Sequence, residues 1–336
     1  MKTVELGTTG LQVSALALGA MTLGTVADEE SSFALLDRYV TDGGSFVDTA
    51  NNYAAWLQQG TDGGQSESLL GRWMAARGNR DEVFLATKGS AGWTDPEGVW
   101  PAVQDEPAWE RIPAQWEGAG ADALRGALEG SLRRLGTDHV DLYYVHVDDR
   151  TVPLTETLEA LAGFVAEGKI RYYGYSNVRA WRLATIRGLC ERNGWPQPVA
   201  LQQEHSYLQR APGLENASVV DDEQLDYLRT FDDLTLVAYS PVLRGVYDMA
   251  QGERESQWVY ERYAGEHSVR RLAVLDEIAA ELEAPASRVV VAWLLAQTSP
   301  RRIPLVGTSR VDRYVSLAAA LDLDLSTEQL ARLDAA

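Results

Sequence analysis

Residues 46–53 read Phe-Val-Asp-Thr-Ala-Asn-Asn-Tyr, and the fold turns on how that stretch is read. Phe46 and Val47 close a short apolar run that starts after the turn-forming pair Gly43-Gly44. Such a run, bounded by a turn signal, predicts a buried strand. Asp48 stands where that strand stops, and Tyr53 follows in a polar loop. A carboxylate and a phenol at the carboxyl end of a buried strand are poor packing residues but good chemistry residues. By itself the stretch favours an aspartate that caps a turn and a tyrosine that closes it. Two later strand ends reverse that preference.

Working outward, the same grammar repeats. Downstream, an apolar run at 83–87 ends at Lys88, and another at 140–146 ends in His146. Further runs lie at 170–175, 199–202, 234–239 and 302–306, and helical periodicity separates most of them. Upstream, 15–18 is a short strand, and 4–7 with 11–14 flank Thr8-Thr9-Gly10 as a hairpin. Ser66 is predicted to N-cap the helix that carries Leu69, Leu70, Trp73 and Met74.

Eight apolar runs without alternation are what a parallel sheet covered on both faces looks like. No boundary-like linker interrupts them. The expected architecture is therefore α/β: one (β/α)8 TIM barrel domain over 1–336, with an N-terminal β-hairpin and extra C-terminal helices. The runner-up is a doubly wound sheet, but its Gly-x-Gly-x-x-Gly loop is missing at every strand end. The long connections, 51–65, 89–120, 204–220 and 240–268, follow strand ends, the face on which barrel sites lie.

Composition narrows the function. Hydrophobic residues make up 45% and charged residues 24% of the 336, and the net charge is −19. A chain this acidic repels nucleic acid and anionic membrane, so an anionic ligand needs a local basic pocket. Cys190 is the one cysteine, which rules out an intramolecular disulfide. No run of about 18 apolar residues exists, and polar residues interrupt the N-terminus where a signal peptide would be apolar. The expected compartment is the cytoplasm. The histidines are His139, His146, His205 and His267, with no His-x-His pair, which disfavours a metal-dependent hydrolase. No metal is expected.

Asp48, Tyr53, Lys88 and His146 sit at or just beyond three consecutive strand ends, and adjacent strands lie about 5 Å apart. Singly, each has a bland reading, such as a paired surface lysine or a satisfied core histidine. Together they form a site that protonates an oxygen as it becomes negative. The ammonium of Lys88 is expected to stabilise a phenolate and lower the pKa of Tyr53. Asp48 is expected to hold Lys88, and His146 to donate a second hydrogen bond. Carbonyl reduction needs such a proton donor, with hydride coming from a cofactor.

At this point the chain resembles the aldo-keto reductase family over almost its whole length. The residues carrying the resemblance are 47–53, Ser66-Glu67 with Leu69-Leu70-Gly71, Ala86-Thr87-Lys88, 130–146, 168–177, 202–206, 238–241 and 304–308. The resemblance implies that Asp48, Tyr53, Lys88 and His146 are a catalytic tetrad with Tyr53 as general acid. It implies that Ser176, Asn177 and Gln202 bind the nicotinamide carboxamide and that Tyr239 stacks on the ring. Ser240, Val242, Leu243, Arg244 and Gly245 resemble the loop over the pyrophosphate. Gly307, Thr308, Ser309, Arg310 and Arg313 resemble the adenosine-phosphate site, which implies NADPH (NADP+).

The chain departs from the family pattern in an insertion at 54–64 and in Gly307, which is a lysine in some members. The third βα loop carries Trp93, Trp100, Trp109 and Trp116. They either pack on the barrel rim or line a substrate pocket together with Trp56. The leading function is a reductase of a small-molecule aldehyde or ketone. The alternative is a nicotinamide-binding regulatory or channel-associated subunit with little turnover.

Overall fold

The computed structural model describes residues 1–57, 59–61, 63–100 and 107–336. The parts of the insertion and of the tryptophan loop at 58, 62 and 101–106 lie outside the described residues. As the sequence predicts, β1 (Thr3–Glu5) and β2 (Gln12–Ser14) pair antiparallel, with Val4 opposite Val13. Eight further strands follow: β3 (Ala17–Gly19), β4 (Phe46–Asp48), β5 (Phe84–Gly89), β6 (Val140–Val145), β7 (Ile170–Ser176), β8 (Ala200–Glu204), β9 (Thr235–Tyr239) and β10 (Arg302–Gly307). They close into one barrel in the order β10-β3-β4-β5-β6-β7-β8-β9. This is the (β/α)8 architecture.

The chain groups into two compact units. One comprises Leu18–Ala200 and Gly307–Val311, the other Met1–Ala17, Leu201–Val306 and Asp312–Ala336.

In the first unit, every residue of β4, β5 and β6 is buried. That is why these strands read as mostly apolar runs without alternation. Register is parallel, with Asp48 beside Ala86 and Lys88 beside Tyr144. Tyr39 fixes the helix Glu29–Thr41 on β4: its hydroxyl donates to Phe46 O at 2.9 Å and accepts from Phe46 N at 3.1 Å. Gly44 makes that approach possible, because a Cβ there would lie 2.4 Å from the Tyr39 ring.

Ser66 is not the N-cap that its sequence position predicts. The helix Gln65–Arg77 starts after Gly64, which is left-handed at φ 87. That angle favours glycine, and a Cβ on Gly64 would also lie 2.6 Å from the Arg134 side chain. Ser66 is instead buried in the first turn. Its hydroxyl donates to Ala20 O at 2.7 Å and meets Thr49 Oγ1 at 2.8 Å, tying the helix to the ends of β3 and β4.

The connection after β5 has structure of its own. Asp95 caps a short helix, Pro96–Val99, and Trp93 bridges to Trp116.

In the second unit, Tyr207, Tyr247, Leu275, Val290 and Leu333 belong to one buried cluster. Helices Glu266–Glu281 and Ala286–Ala296 supply much of it. Glu204, the last residue of β8, is buried and accepts from Tyr263 Oη at 2.6 Å and Arg262 Nη1 at 2.8 Å. The stretch 240–268, read as a loop, contains the 3-10 segment Leu243–Asp248 and the short helix Gln251–Glu255. No helix among the described residues is long and apolar enough to cross a membrane.

Candidate active site

The site is assembled at the carboxyl ends of β4, β5, β6 and β7, all within the first unit. The ladder between β4 and β5 continues past the strand: Thr49 N donates to Ala86 O at 2.9 Å and Asn51 N to Lys88 O at 3.1 Å. This extension carries the chain to Tyr53. The next residue, Ala54, has φ 86, an uncommon angle for alanine and the kind of local strain that clusters at functional sites.

Lys88 is the hub. Its ammonium donates to Asp48 Oδ1, to Thr49 O at 2.8 Å and to Tyr53 Oη at 2.8 Å. Asp48 and Lys88 are completely buried and Tyr53 is 8% exposed. The ammonium also lies 4.7 Å from the Tyr53 ring centroid. His146 stands edge-on to Tyr53, ring centroids 6.0 Å apart. Its carbonyl accepts from Asn177 Nδ2 at 2.8 Å, and its Nδ1 is buried without a hydrogen-bond partner among the described residues. The tetrad predicted from the strand ends is thus one connected cluster.

The electrostatics correct one expectation. Tyr53 is held well above the usual phenol pKa, first by burial and then by the negative charge of Asp48. Burial and the Asp48 carboxylate outweigh the contribution of the Lys88 ammonium, so the net shift is upward. Burial also pulls Lys88 down from its ordinary value, against Asp48 and Glu67, which favour the ammonium. His146 is driven well below the usual imidazole range by burial and by Lys88. At neutral pH the resting cluster therefore offers a protonated phenol and a neutral imidazole.

A second layer escaped sequence reasoning. Glu67 is completely buried; Thr87 Oγ1 donates to its Oε1 at 2.5 Å and Arg134 Nε to its Oε2 at 2.7 Å. Thr87 precedes Lys88, so this carboxylate braces β5 beneath the ammonium. Glu117 gathers the connection after β5, accepting from Ser90 N at 2.8 Å, Gly92 N at 3.0 Å and Asn51 Nδ2 at 2.8 Å. The signal for Glu67 was a carboxylate just ahead of Leu69-Leu70 on a helix that faces the barrel.

Of the tryptophans, Trp93 and Trp100 pack with Ala55 and Val99 in a buried cluster, and Trp100 Nε1 donates to Ala55 O at 2.8 Å. Packing is therefore the better reading for these two. Trp109 is exposed. Trp56, partly buried, meets the Tyr53 ring edge-on at 5.8 Å.

The expected cofactor residues fall as follows. Ser176 ends β7, buried, and Asn177 follows in the left-handed region, donating to Ser176 Oγ at 3.1 Å as well as to His146 O. In the other unit, Gln202 is buried in β8 and Tyr239 ends β9. Ser240, Leu243, Arg244 and Gly245 all have positive φ, so Val242 sits in a tightly coiled turn. Gly307 ends β10, and Thr308 and Ser309 lead to Arg310 and the helix Val311–Ala318, which contains Arg313. Thr308 Oγ1 accepts from Arg310 N at 3.1 Å. Arg244, Arg310 and Arg313 are exposed guanidinium groups, a donor chemistry that fits a phosphate-bearing cofactor.

Comparison with known proteins agrees with this geometry. Residues 15–336 match the aldo/keto reductase family. The chain is 32% identical to norsolorinic acid reductase B of Aspergillus parasiticus, over 95% of this chain and 80% of that protein. It is 31% identical to an uncharacterised oxidoreductase of Bacillus subtilis, over 99% and 95% of the two chains. An aryl-alcohol dehydrogenase [NADP(+)] of Phanerodontia chrysosporium is 29% identical, over 96% and 82%. Among solved structures, a thermostable aldo-keto reductase in complex with the inhibitor epalrestat superposes with a TM-score of 0.72 at 27% identity, covering 100% of this chain and 99% of that one. The chain belongs to the aldo/keto reductase family and is an NAD(P)H-dependent oxidoreductase acting on carbonyl or alcohol groups.

Proposed function

We propose that this enzyme reduces an aryl aldehyde or ketone with NADPH, and that Tyr53 donates the proton. The observation that carries the reading is the buried ammonium of Lys88, bonded at once to Asp48 and to Tyr53 Oη. A phenol held above its usual pKa stays protonated until an oxygen of developing negative charge draws the proton. As that proton leaves, the ammonium already 2.8 Å from Oη meets the new phenolate charge. Neutral His146, edge-on to Tyr53, donates a second hydrogen bond to the same carbonyl oxygen. Asp48 and Thr49 O keep the ammonium from turning away. NADPH, when bound, supplies the hydride.

The cofactor assignment is carried over from the family pattern and is part of the proposal. Ser176, Asn177 and Gln202 hold the carboxamide, and Tyr239 stacks on the nicotinamide ring. Ser240, Val242, Leu243, Arg244 and Gly245 cover the pyrophosphate. Gly307, Thr308, Ser309, Arg310 and Arg313 hold the adenosine phosphate. The relatives named for norsolorinic acid and for an aryl alcohol support an aryl substrate. Trp56, edge-on to Tyr53, offers such a substrate an apolar wall.

The test is oxidation of NADPH across a panel of aryl and aliphatic carbonyls. Steady turnover with aryl compounds preferred is expected. Tight NADPH binding without turnover on any carbonyl would favour the regulatory alternative. Comparing kcat/KM for NADPH and NADH addresses the adenosine site. Arg313→Ala should cut the preference for NADPH by about tenfold, the worth of one solvated charge-assisted bond.

A further inference from the structure

The second unit contains a cavity of about 680 Å³, a volume typical of small-molecule sites. Arg302 at the start of β10, His205 just after β8, and Trp293 of helix Ala286–Ala296 line it, with Tyr207, Leu225 and Arg229. None of these residues takes part in the chemistry proposed above. Arg302 is 6% exposed, yet its Nε and Nη1 are buried without a hydrogen-bond partner among the described residues. Its guanidinium lies over the Trp293 ring, 5.3 Å from the centroid. His205, also buried, turns a ring toward Trp293 at 6.3 Å, and its Nε2 has no hydrogen-bond partner among the described residues.

Among the described residues, no carboxylate on the cavity wall forms a hydrogen bond or ion pair with Arg302. Asp221 pairs with Arg210 at 3.3 Å. Asp334 accepts from Trp293 Nε1 at 2.7 Å and from Gln297 Nε2 at 3.3 Å. Asp222 and Glu223 are exposed. Burial and the like charge of Arg229 push Arg302 down to about 10, against Asp334, so it is still a cation at neutral pH. An unpaired cation out of water is costly, and a second guanidinium beside it raises that cost. Arg271 is the internal contrast: equally buried, it donates to Tyr207 O and Ala336 O.

We propose that this cavity is a second ligand site, for a small organic oxyanion, a carboxylate or phosphate ester on a planar ring. The oxyanion sits on Arg302 with His205 as the second polar contact. The ring lies against Trp293, next to Tyr207 and Leu225.

The test uses the full chain with saturating NADPH, so that the proposed cofactor site is occupied. Benzoate, phenyl phosphate and uncharged benzyl alcohol are titrated by calorimetry. At least one anion should bind, and the tighter of the two names the head group. Benzyl alcohol and the variant Arg302→Met should each weaken binding by at least about tenfold. In the wild type, the bound anion should slow hydrogen exchange in segments 205–213 and 222–229. That measurement stands even if Arg302→Met fails to fold. The proposal is overturned if neither anion binds, if benzyl alcohol binds equally well, or if Arg302→Met keeps full affinity. Protection confined to 48–57 and 144–149 would place the anion at the carbonyl site and overturn it as well.

Discussion

Lys88 and Arg302 are both buried cations, each facing an aromatic ring and each beside a histidine driven to the neutral form. They differ in what the fold gives them. Lys88 has a carboxylate, a carbonyl and a phenol as protein partners. Arg302 has the ring of Trp293 and the charge of Asp334, but its Nε and Nη1 have no hydrogen-bond partner among the described residues. Burial lowers the pKa of both, so desolvation acts on both alike. A fold that supplies every acceptor holds a cation as part of its own machinery. A fold that supplies none leaves the cation for something that arrives from outside.

The largest effect expected is at the partner of Lys88. Tyr53→Phe removes the acidic proton and leaves the ring packing, so kcat should fall by roughly 10²–10⁴-fold. NADPH affinity, read by fluorescence titration, should hardly move. Near-wild-type turnover would take Tyr53 out of the chemistry and leave Lys88 a purely structural cation.

Next is Lys88 itself. Lys88→Met strands the carboxylate of Asp48 in a dry site, and breaking a buried pair from one side costs about 3–5 kcal/mol. Urea unfolding measures this. The double variant Lys88→Met with Asp48→Asn should recover much of the stability and none of the activity. If the single variant is as stable as the wild type, the pair is not the supported element described here.

The two histidines extend the comparison to pH. Burial first, then Lys88, holds His146 well below its ordinary value; burial, then Arg302 and Arg271, does the same for His205. Below about pH 6.5 the unfolded chain takes up these protons and the folded chain does not. The unfolded state then binds more protons, so stability rises with pH in this window and is lost on acidification. Each histidine should contribute about 1.4 kcal/mol per pH unit below 6.5 until its folded pKa is reached. Unfolding midpoints between pH 7 and 5 test this, and His205→Gln should flatten the slope. An unchanged slope would mean that His205 is charged when folded, so that Arg302 has two cations beside it.

These contrasts also mark what the sequence could reveal. Asp48, Lys88 and His146 were legible because each polar residue ends an apolar run, and the barrel places such ends on one rim. Tyr53 was legible because it follows Asp48 by only five residues, close to the same strand end. The protonation balance was not, since it depends first on how completely the packed structure buries Tyr53. Ser66 looked like a cap because serine before an apolar helix usually is one, whereas Gly64 and Arg134 set the true start. Glu67 gave only a weak signal, and Arg302 gave none. Pro-Arg-Arg-Ile-Pro at 300–304 reads as a polar turn entering a strand, and only the packing of Trp293 and His205 shows the second arginine turned inward.

The smallest effect is the sharpest for the comparison. Arg302→Met replaces the guanidinium with an apolar chain of similar length, at a position where no protein acceptor is left stranded. The variant gives up a ring contact worth about 0.5–2 kcal/mol and removes the desolvation of an unpaired charge, which is larger. Stability without ligand should therefore stay within about 1 kcal/mol of wild type or rise, the opposite of Lys88→Met. Urea midpoints of the two variants side by side give the answer. A loss of several kcal/mol at Arg302 would mean that the protein already satisfies this cation, and the contrast between the two sites would collapse.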